Sequence, residues 1–335
     1  IALLLPSTVF FGIRDIEAIL PAYSENTLFV NKPPEFHRIQ TYLDIVKDDA
    51  VQQMMDKDNP SMSLLSQFTW AKQGAWDMAA LGDWVDGHSF GPIDPPNEMW
   101  PKEEALLRLV AKEKRADRKV LCFIGQINRR DVTGRLCELL KRYGMKGSVM
   151  RANEKSRVEF VRHALKKGAD VIFTSASLVK EGIDLLELPT FVWYAGENNI
   201  FLVQQANRRA WRPGQTLDCD IYYLAYNETP QADTMHRTAK KLAAAQSIAG
   251  DVRQGLAAIL GEEDFVSRLQ DATISTVHFE SDLSLDDLPA LEAFAEQAEM
   301  SDVHVHVKVE SFRPTRVHVE VEVVDLSGYS QLSLF

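Results

Sequence analysis

The sequence predicts an α/β fold, a parallel sheet covered on both faces by helices. Three observations carry that prediction. Short apolar runs alternate with amphipathic segments between about residues 115 and 226. The runs are bounded by turn residues such as Gly144 and Gly168. Each run is followed by a segment of helical length, the spacing that parallel strands with helical crossovers require.

The elements follow in order. "KVLCFIG" (119–125) is a buried strand, and "RRDVTGRLCELLKRYG" (129–144) an amphipathic helix closing on Gly144. "KGSVMRAN" is a short strand, "EKSRVEFVRHALKKGA" a second helix and "DVIFTSA" a strand. "LVKEGIDL" is a short helix and turn, "TFVWYAG" a strand, "NIFLVQQANRRAW" a helix and "DCDIYYLAY" the last strand. An Ala-rich helical stretch runs from about 231 to 269. Upstream, residues 15–50 predict short helical pieces around the extended "LPAYSENTLFVNKPPEF". "VDGHSFGPIDPPNEMWP" (85–101) is dense in Gly and Pro and predicts a linker or long loop. Near the end, "DVHVHVKVE" and "TRVHVEVEVV" alternate in period two and predict an antiparallel hairpin. His304, His306 and His318 share its polar face, where alternating His, Lys and Glu on a solvated strand need no metal.

The bulk properties narrow the function. The 335 residues are 45% hydrophobic and 25% charged, ordinary for a globular protein. No apolar run reaches the length of a membrane span, so no membrane partner is expected. Cys122, Cys137 and Cys219 lie far apart without C-x-x-C spacing, which argues against zinc or a disulfide framework and for a reducing cytoplasm. The net charge of −11 is unevenly distributed. Residues 101–215 carry 23 Lys/Arg against 13 Asp/Glu, whereas 249–335 carry 5 against 17. A basic middle and an acidic end predict separate surfaces with separate tasks.

Ligands of open parallel sheets bind at the carboxyl ends of the strands, because loops and helix N-termini converge there. "IGQINRRD", "TSASLVKEGIDL" and the helix after "FVWYAGENN" are placed at such ends by the sequence. That last helix carries "QQANRRAWRPGQ" (204–215), where Arg209 and Arg212 are predicted to project from one helical face, with Gly214 ending the helix. Paired arginines grip phosphate oxygens with two donors each and suit the charge that develops on a transferring phosphoryl group.

The order of these stretches resembles the second RecA-like lobe of superfamily 2 helicases and translocases. "QANRRAWRPGQ" resembles their motif VI in its Swi/Snf spelling, Q-A-x-x-R-A-x-R-x-G-Q. "KVLCFIGQ" is similar to motif IV and "TSASLVKEGIDL" to motif V. "MRANEKSRVEFVRHAL" resembles the region between them, with Arg157 in its arginine position. "LPAYSENTLFVNKPPEFHRIQTYLDI" resembles the Swi/Snf bridge between lobes, and "YNETPQADTMHRTAKKLAAA" the helix that braces the lobe. The resemblance covers about residues 15–245.

The resemblance implies a RecA-like three-layer lobe at 115–250. Residues 1–114 would be the end of a first lobe, the bridge and a linker insertion. An acidic accessory α+β region with the hairpin would span 251–330. It implies that Arg209 and Arg212 are arginine fingers, and that Gln205, Gly182 and Asp184 approach the nucleotide. Thr174, Ser175, Gln126 and Arg157 would meet nucleic acid. Two departures stand out. Motif V lacks the paired glycines of Swi/Snf proteins and is closer to the UvrB type. Neither G-x-x-x-x-G-K-[ST] nor D-E-x-H occurs, so ATP and Mg would be held mainly by a first lobe, expected upstream of Ile1 in a longer protein, with a partner protein as the alternative source. The chain by itself would then be catalytically inactive.

The final residues, Gln331, Leu332, Ser333, Leu334 and Phe335, resemble the Q-L-[SD]-L-F pentapeptide by which bacterial replication and repair proteins bind the sliding clamp. Leu332, Leu334 and Phe335 are apolar anchors for a pocket, and Gln331 adds an oriented amide. The resulting expectation is the C-terminal half of a DNA helicase or duplex translocase, recruited by a clamp in the bacterial cytoplasm at the nucleoid. An RNA-directed enzyme of the same fold and a non-catalytic clamp-binding adaptor are the alternatives.

Overall fold

The computed structural model describes residues 20–56, 61–151, 156–179, 184–248 and 255–260, with the backbone of 308–309 and 319–320. In chain order the elements begin with strand β1 (Tyr23–Val30), helices α1 (His37–Met55) and α2 (Ser63–Gly74), and the strands β2 (Asp83–Val85) and β3 (His88–Phe90). Then come α3 (Pro101–Arg115), β4 (Val120–Phe123), α4 (Thr133–Arg142), β5 (Gly147–Val149), α5 (Arg157–Lys166) and β6 (Val171–Thr174). The lobe closes with β7 (Thr190–Trp193), α6 (Ile200–Asn207), β8 (Cys219–Tyr226), α7 (Pro230–Ile248) and α8 (Leu256–Leu260). Strands β9 (Lys308–Val309) and β10 (Val319–Glu320) follow.

Six strands form one parallel sheet in the order β1-β8-β7-β4-β6-β5. Every residue of β4, β6 and β7 is buried, as strands with both faces covered must be. Period two then sorts their side chains. Val120, Cys122, Val171, Phe173 and Val192 enter a core shared with α1, α3 and α4. Leu121, Phe123, Ile172, Phe191 and Trp193 enter a core shared with α5, α6 and α7. The predicted three-layer α/β architecture is observed.

The structure departs from the sequence reading upstream of the sheet. The extended segment at 23–30 is an edge strand, paired residue for residue with β8. The stretch expected to be a linker opens with an antiparallel hairpin, β2 paired with β3, turning at Asp86-Gly87. Both turn residues have positive φ, 40° and 88°, the requirement of a type I′ turn. The rest of the stretch is packed rather than loose, with Ile93, Met99 and Trp100 buried. Burial of the prolines' apolar neighbours outweighed the loop composition.

Downstream, the Ala-rich stretch is interrupted. α7 ends at Ile248, and α8 starts after Gly255, whose φ of +56° belongs to the left-handed region. β9 and β10 pair antiparallel, Val319 opposite Val309 and Glu320 opposite Lys308, within the two segments of the predicted hairpin. His304, His306 and His318 lie outside the described residues. Among the described residues no helix is long and apolar enough to cross a membrane, and no His, Cys, Asp and Glu side chains are grouped to hold a metal ion.

A buried polar network fixes the insertion between α1 and α3 onto the lobe. Lys102, with no exposed surface, donates to Asp77 Oδ1 at 2.7 Å and to Gln231 Oε1 at 2.8 Å. Its ammonium also lies 4.3 Å from the centre of the Tyr194 ring. Gln231 Nε2 donates to the Gln73 carbonyl at 2.9 Å and to Asp77 Oδ2 at 3.0 Å. Burial pushes Asp77 above and Lys102 below their ordinary ranges, outweighing the mutual attraction that acts in the opposite sense.

Candidate functional site

The arginine segment does not continue the helix. α6 stops at Asn207, and Arg209 and Arg212 lie in the turns that follow. Pro213 keeps the helix from running on through the arginine segment. In a continued helix the Arg209 carbonyl would accept from residue 213, which has no N–H, and the proline ring would strike that carbonyl. Here the Arg209 carbonyl instead accepts from Leu185 N at 3.1 Å. Arg212 N turns back to the Ala210 carbonyl at 3.2 Å, and Gln215 N to the Arg212 carbonyl at 3.0 Å. Gly214 takes φ +99°, a conformation open chiefly to glycine. The two arginines therefore do not share a helical face, which corrects the sequence reading.

The same bonds join this segment to the one before β7. Gln215 is buried, and its Nε2 donates to the carbonyls of Leu186 at 3.0 Å and Ala210 at 3.2 Å. Arg212 donates to Asp184 and, through Nε, to the Arg208 carbonyl at 3.1 Å. The Arg212 and Asp184 side chains are 38% and 62% exposed, so the ion pair faces solvent. Arg209 is half-buried and Gln205 exposed. Gly182 lies outside the described residues, as do Gln331, Leu332, Ser333, Leu334 and Phe335.

Edge strand β1 supports this segment from the other side. Trp211 Nε1 donates to the Pro21 carbonyl at 2.8 Å, and its ring lies 4.8 Å from that of Tyr23. Asn207 is locked at the helix end, accepting from Trp193 Nε1 and donating to the Tyr223 hydroxyl, both at 2.8 Å. The Tyr223 hydroxyl donates in turn to Glu25 Oε2 at 3.0 Å, and Leu256 N caps α8 on the same oxygen at 2.7 Å. Burial, with the Glu25 carboxylate alongside, pushes the Tyr23 and Tyr223 phenols well above their ordinary range. The "LPAYSE" stretch thus acts as a brace. The sequence had no periodic signal for that role.

These contacts place the arginines at the amino edge of the sheet. Pro21 precedes β1, Asp184 to Leu186 precede β7, and Gln215 precedes β8. The sequence reading had put all three stretches at the carboxyl edge. α6 does start there, but its eight residues run back about 12 Å before Arg209 is reached.

The other predicted residues are at or near the carboxyl edge, where Ile124 N bonds the Thr174 carbonyl at 2.9 Å and Tyr194 N the Phe123 carbonyl at 3.0 Å. Thr174 is fully buried, so its hydroxyl is not presented at the surface. Ser175 is half-buried, its hydroxyl 2.8 Å from that of Ser177. Arg157 is buried and bonds the Leu178 carbonyl, tying α5 to the turn after β6. Gln126 donates to the Trp70 carbonyl at 2.8 Å and accepts from Arg130 at 2.7 Å, while Arg130 pairs with the buried Asp83 at 2.8 Å. Around the same loop, Asp131 accepts from Thr133 N at 2.9 Å and from Arg151. Partial burial raises the Asp131 carboxyl, but these hydrogen bonds outweigh it and hold the group below its ordinary value.

No protein-family model matches the sequence, and no curated protein matches it. Solved structures do. The chain aligns with the crystal structure of the C-terminal part of the Fun30 ATPase domain at TM-score 0.51. The alignment covers 65% of this chain and 89% of that one, at 14% identity. The fold is RecA-like, as in that ATPase domain. The Sulfolobus solfataricus SWI2/SNF2 ATPase core, solved in complex with dsDNA, aligns at TM-score 0.44 over 74% of this chain and 48% of that one, again at 14% identity. At these identities the likeness is one of fold, and the chemistry of the lobe has to be argued from its own side chains.

Proposed function

We propose that this chain is the arginine-bearing half of an ATP-dependent DNA helicase or duplex translocase. The observation that carries the reading is the junction at the amino edge. The bond from Leu185 N to the Arg209 carbonyl and the bond from the buried Gln215 amide to the Leu186 carbonyl fix the arginine segment against the residues before β7. The guanidinium of Arg212 is held there at the surface by a solvent-facing carboxylate. An exposed ion pair contributes about 0–1 kcal/mol, so Arg212 can exchange Asp184 for a phosphate at little cost. Arg209, Arg212 and Gln205 are the groups of this chain that would meet ATP, with ATP and Mg2+ held chiefly by a first lobe. ATP supplies the phosphoanhydride whose cleavage powers movement. Arg212 would stabilise the charge that develops, a contribution of about 10³–10⁵ in rate in comparable enzymes.

In this reading the two edges of the sheet have different tasks. Nucleotide meets the amino edge, and DNA the carboxyl edge around Gln126 and Ser175. The four residues of β6, spanning about 13 Å, separate the two and supply a rigid path between them. The basic stretch 101–215 favours a polyanion on this lobe. The terminal Gln331 to Phe335 is proposed, on its sequence, to dock on a bacterial sliding clamp, which would raise the motor's local concentration on DNA at the nucleoid.

The test is DNA-stimulated ATP hydrolysis by the complete gene product, wild type beside Arg212→Ala. A loss of about 10³-fold or more with ATP binding retained is expected. Equal rates in the two proteins would overturn the assignment of the finger. For the tail, Leu334→Ala with Phe335→Ala abolishes capture by an immobilised sliding clamp, and undiminished capture would remove the clamp from the scheme.

A further inference from the structure

The largest aromatic rings exposed by the insertion between α1 and α3 are Trp70 and Trp84, 61% and 63% exposed. They are not scattered. Arg129, on the loop after β4, lies with its guanidinium 5.2 Å from the centre of the Trp84 ring. The same guanidinium donates to Gln67 Oε1 at 3.2 Å, and Gln67 precedes Trp70 by one turn of α2. Gln126, on the same loop, holds the Trp70 carbonyl at 2.8 Å. The Trp84 indole therefore lies against an exposed guanidinium beside the carboxyl edge of the sheet, and the exposed Trp70 stands one helical turn beyond that guanidinium's Gln67 partner.

The chemistry of this patch fits an unpaired nucleobase better than a protein helix. The ground around the rings is polar, with Ser66, Thr69 and Asn128 exposed. A base offers a π face to an indole whatever its identity, and arginine adds a cation to the stack and a donor for phosphate. The support beneath is rigid, since Arg130 from the same loop is buried against Asp83 at the start of β2. We propose that Trp70, Trp84 and Arg129 form a stacking platform for unpaired bases of a DNA strand crossing the carboxyl edge. This rests on the reading that DNA meets that edge. It deepens the reading, because a platform for unpaired bases suits a motor that engages a single strand rather than one that only tracks a closed duplex.

The test uses this chain and measures anisotropy of a labelled single strand and of a blunt duplex, with 2-aminopurine in the single strand as a stacking probe. Trp84→Ala and Trp70→Ala are expected to weaken single-strand binding by about 10-fold each, with less than about a twofold change on blunt duplex. Trp84→Phe retains most of the affinity, and the 2-aminopurine quenching seen with wild type is lost in Trp84→Ala. Both rings are exposed, so their truncation leaves the core intact. Undiminished single-strand affinity in both alanine variants would overturn the platform while leaving DNA binding to the lobe standing. An equal loss on duplex and single strand would do the same. Absence of any DNA binding by the wild-type chain would remove both the platform and the reading beneath it.

Discussion

Gln215→Ala tests whether the junction at the amino edge is a structural unit. The side chain makes four hydrogen bonds, two donated by Nε2 to Leu186 and Ala210 and two accepted by Oε1 from Thr216 N and Leu217 N, both at 2.9 Å. At about 1 kcal/mol net for each, complete loss would cost about 4 kcal/mol. Two corrections reduce this. Thr216 and Leu217 are exposed, so water replaces part of what they lose, and the Ala210 carbonyl keeps its bond from Arg212 N. The expected cost is then about 2–3 kcal/mol, a fall in the thermal midpoint of about 5–10 °C. The variant also loosens the arginine segment against the residues before β7, leaving the Leu185 N bond to the Arg209 carbonyl and the Arg212–Asp184 pair, so in the complete enzyme kcat falls while the KM for ATP changes little. Both effects are read by thermal unfolding followed by circular dichroism and by steady-state ATP hydrolysis. An unchanged midpoint would refute the reasoning, since it would mean that the four bonds contribute nothing that water does not.

Lys102→Met removes one partner of the buried pair and leaves the Asp77 carboxylate alone, costing about 3–5 kcal/mol, and Lys102→Met with Asp77→Leu recovers most of it. Burial already raises Asp77, and losing Lys102 raises it further. The folded single variant then binds more protons than the unfolded chain, so its stability falls as pH rises. The gap to wild type therefore narrows between pH 7 and pH 5, by at most about 1.4 kcal/mol per pH unit in urea unfolding. A gap that widened toward pH 5 would contradict the assignment. Gly255→Ala puts a methyl 2.5 Å from the Glu25 carboxyl carbon at a residue with φ +56°, so it should detach α8 from β1. Limited proteolysis would then cut near 255 faster than in wild type, and unchanged cleavage would count against that contact.

Much of the lobe was legible before its structure. A run such as "VIFT" between turn residues announces a strand buried on both faces, and "RVEFVRHALK" announces a helix with one apolar side, because burial imposes periods that any sequence reader can count. The residues before β4 were harder to place. Tyr23–Val30 has no clean alternation, since its strand character comes from the bonds it makes to β8, about 200 residues away. The Asp86-Gly87 turn was visible as a dipeptide but was read with the prolines around it as a loop.

The sequence by itself determined the residue types of the proposed site and their order along the chain, because motif spacing is a local property. It named Arg209 and Arg212 and the loop around Gln126. Only the tertiary structure decided which edge of the sheet each one occupies. Pro213 and the Leu185 amide keep the helix from running on through the arginines, and the length of α6 carries them away from the edge where the helix began. Nor could the sequence pair Trp84 with Arg129 or seat Glu25 beneath α8, since those contacts join residues 45 and 231 positions apart. Such pairings are fixed by sheet order and packing, which no single stretch of the chain encodes.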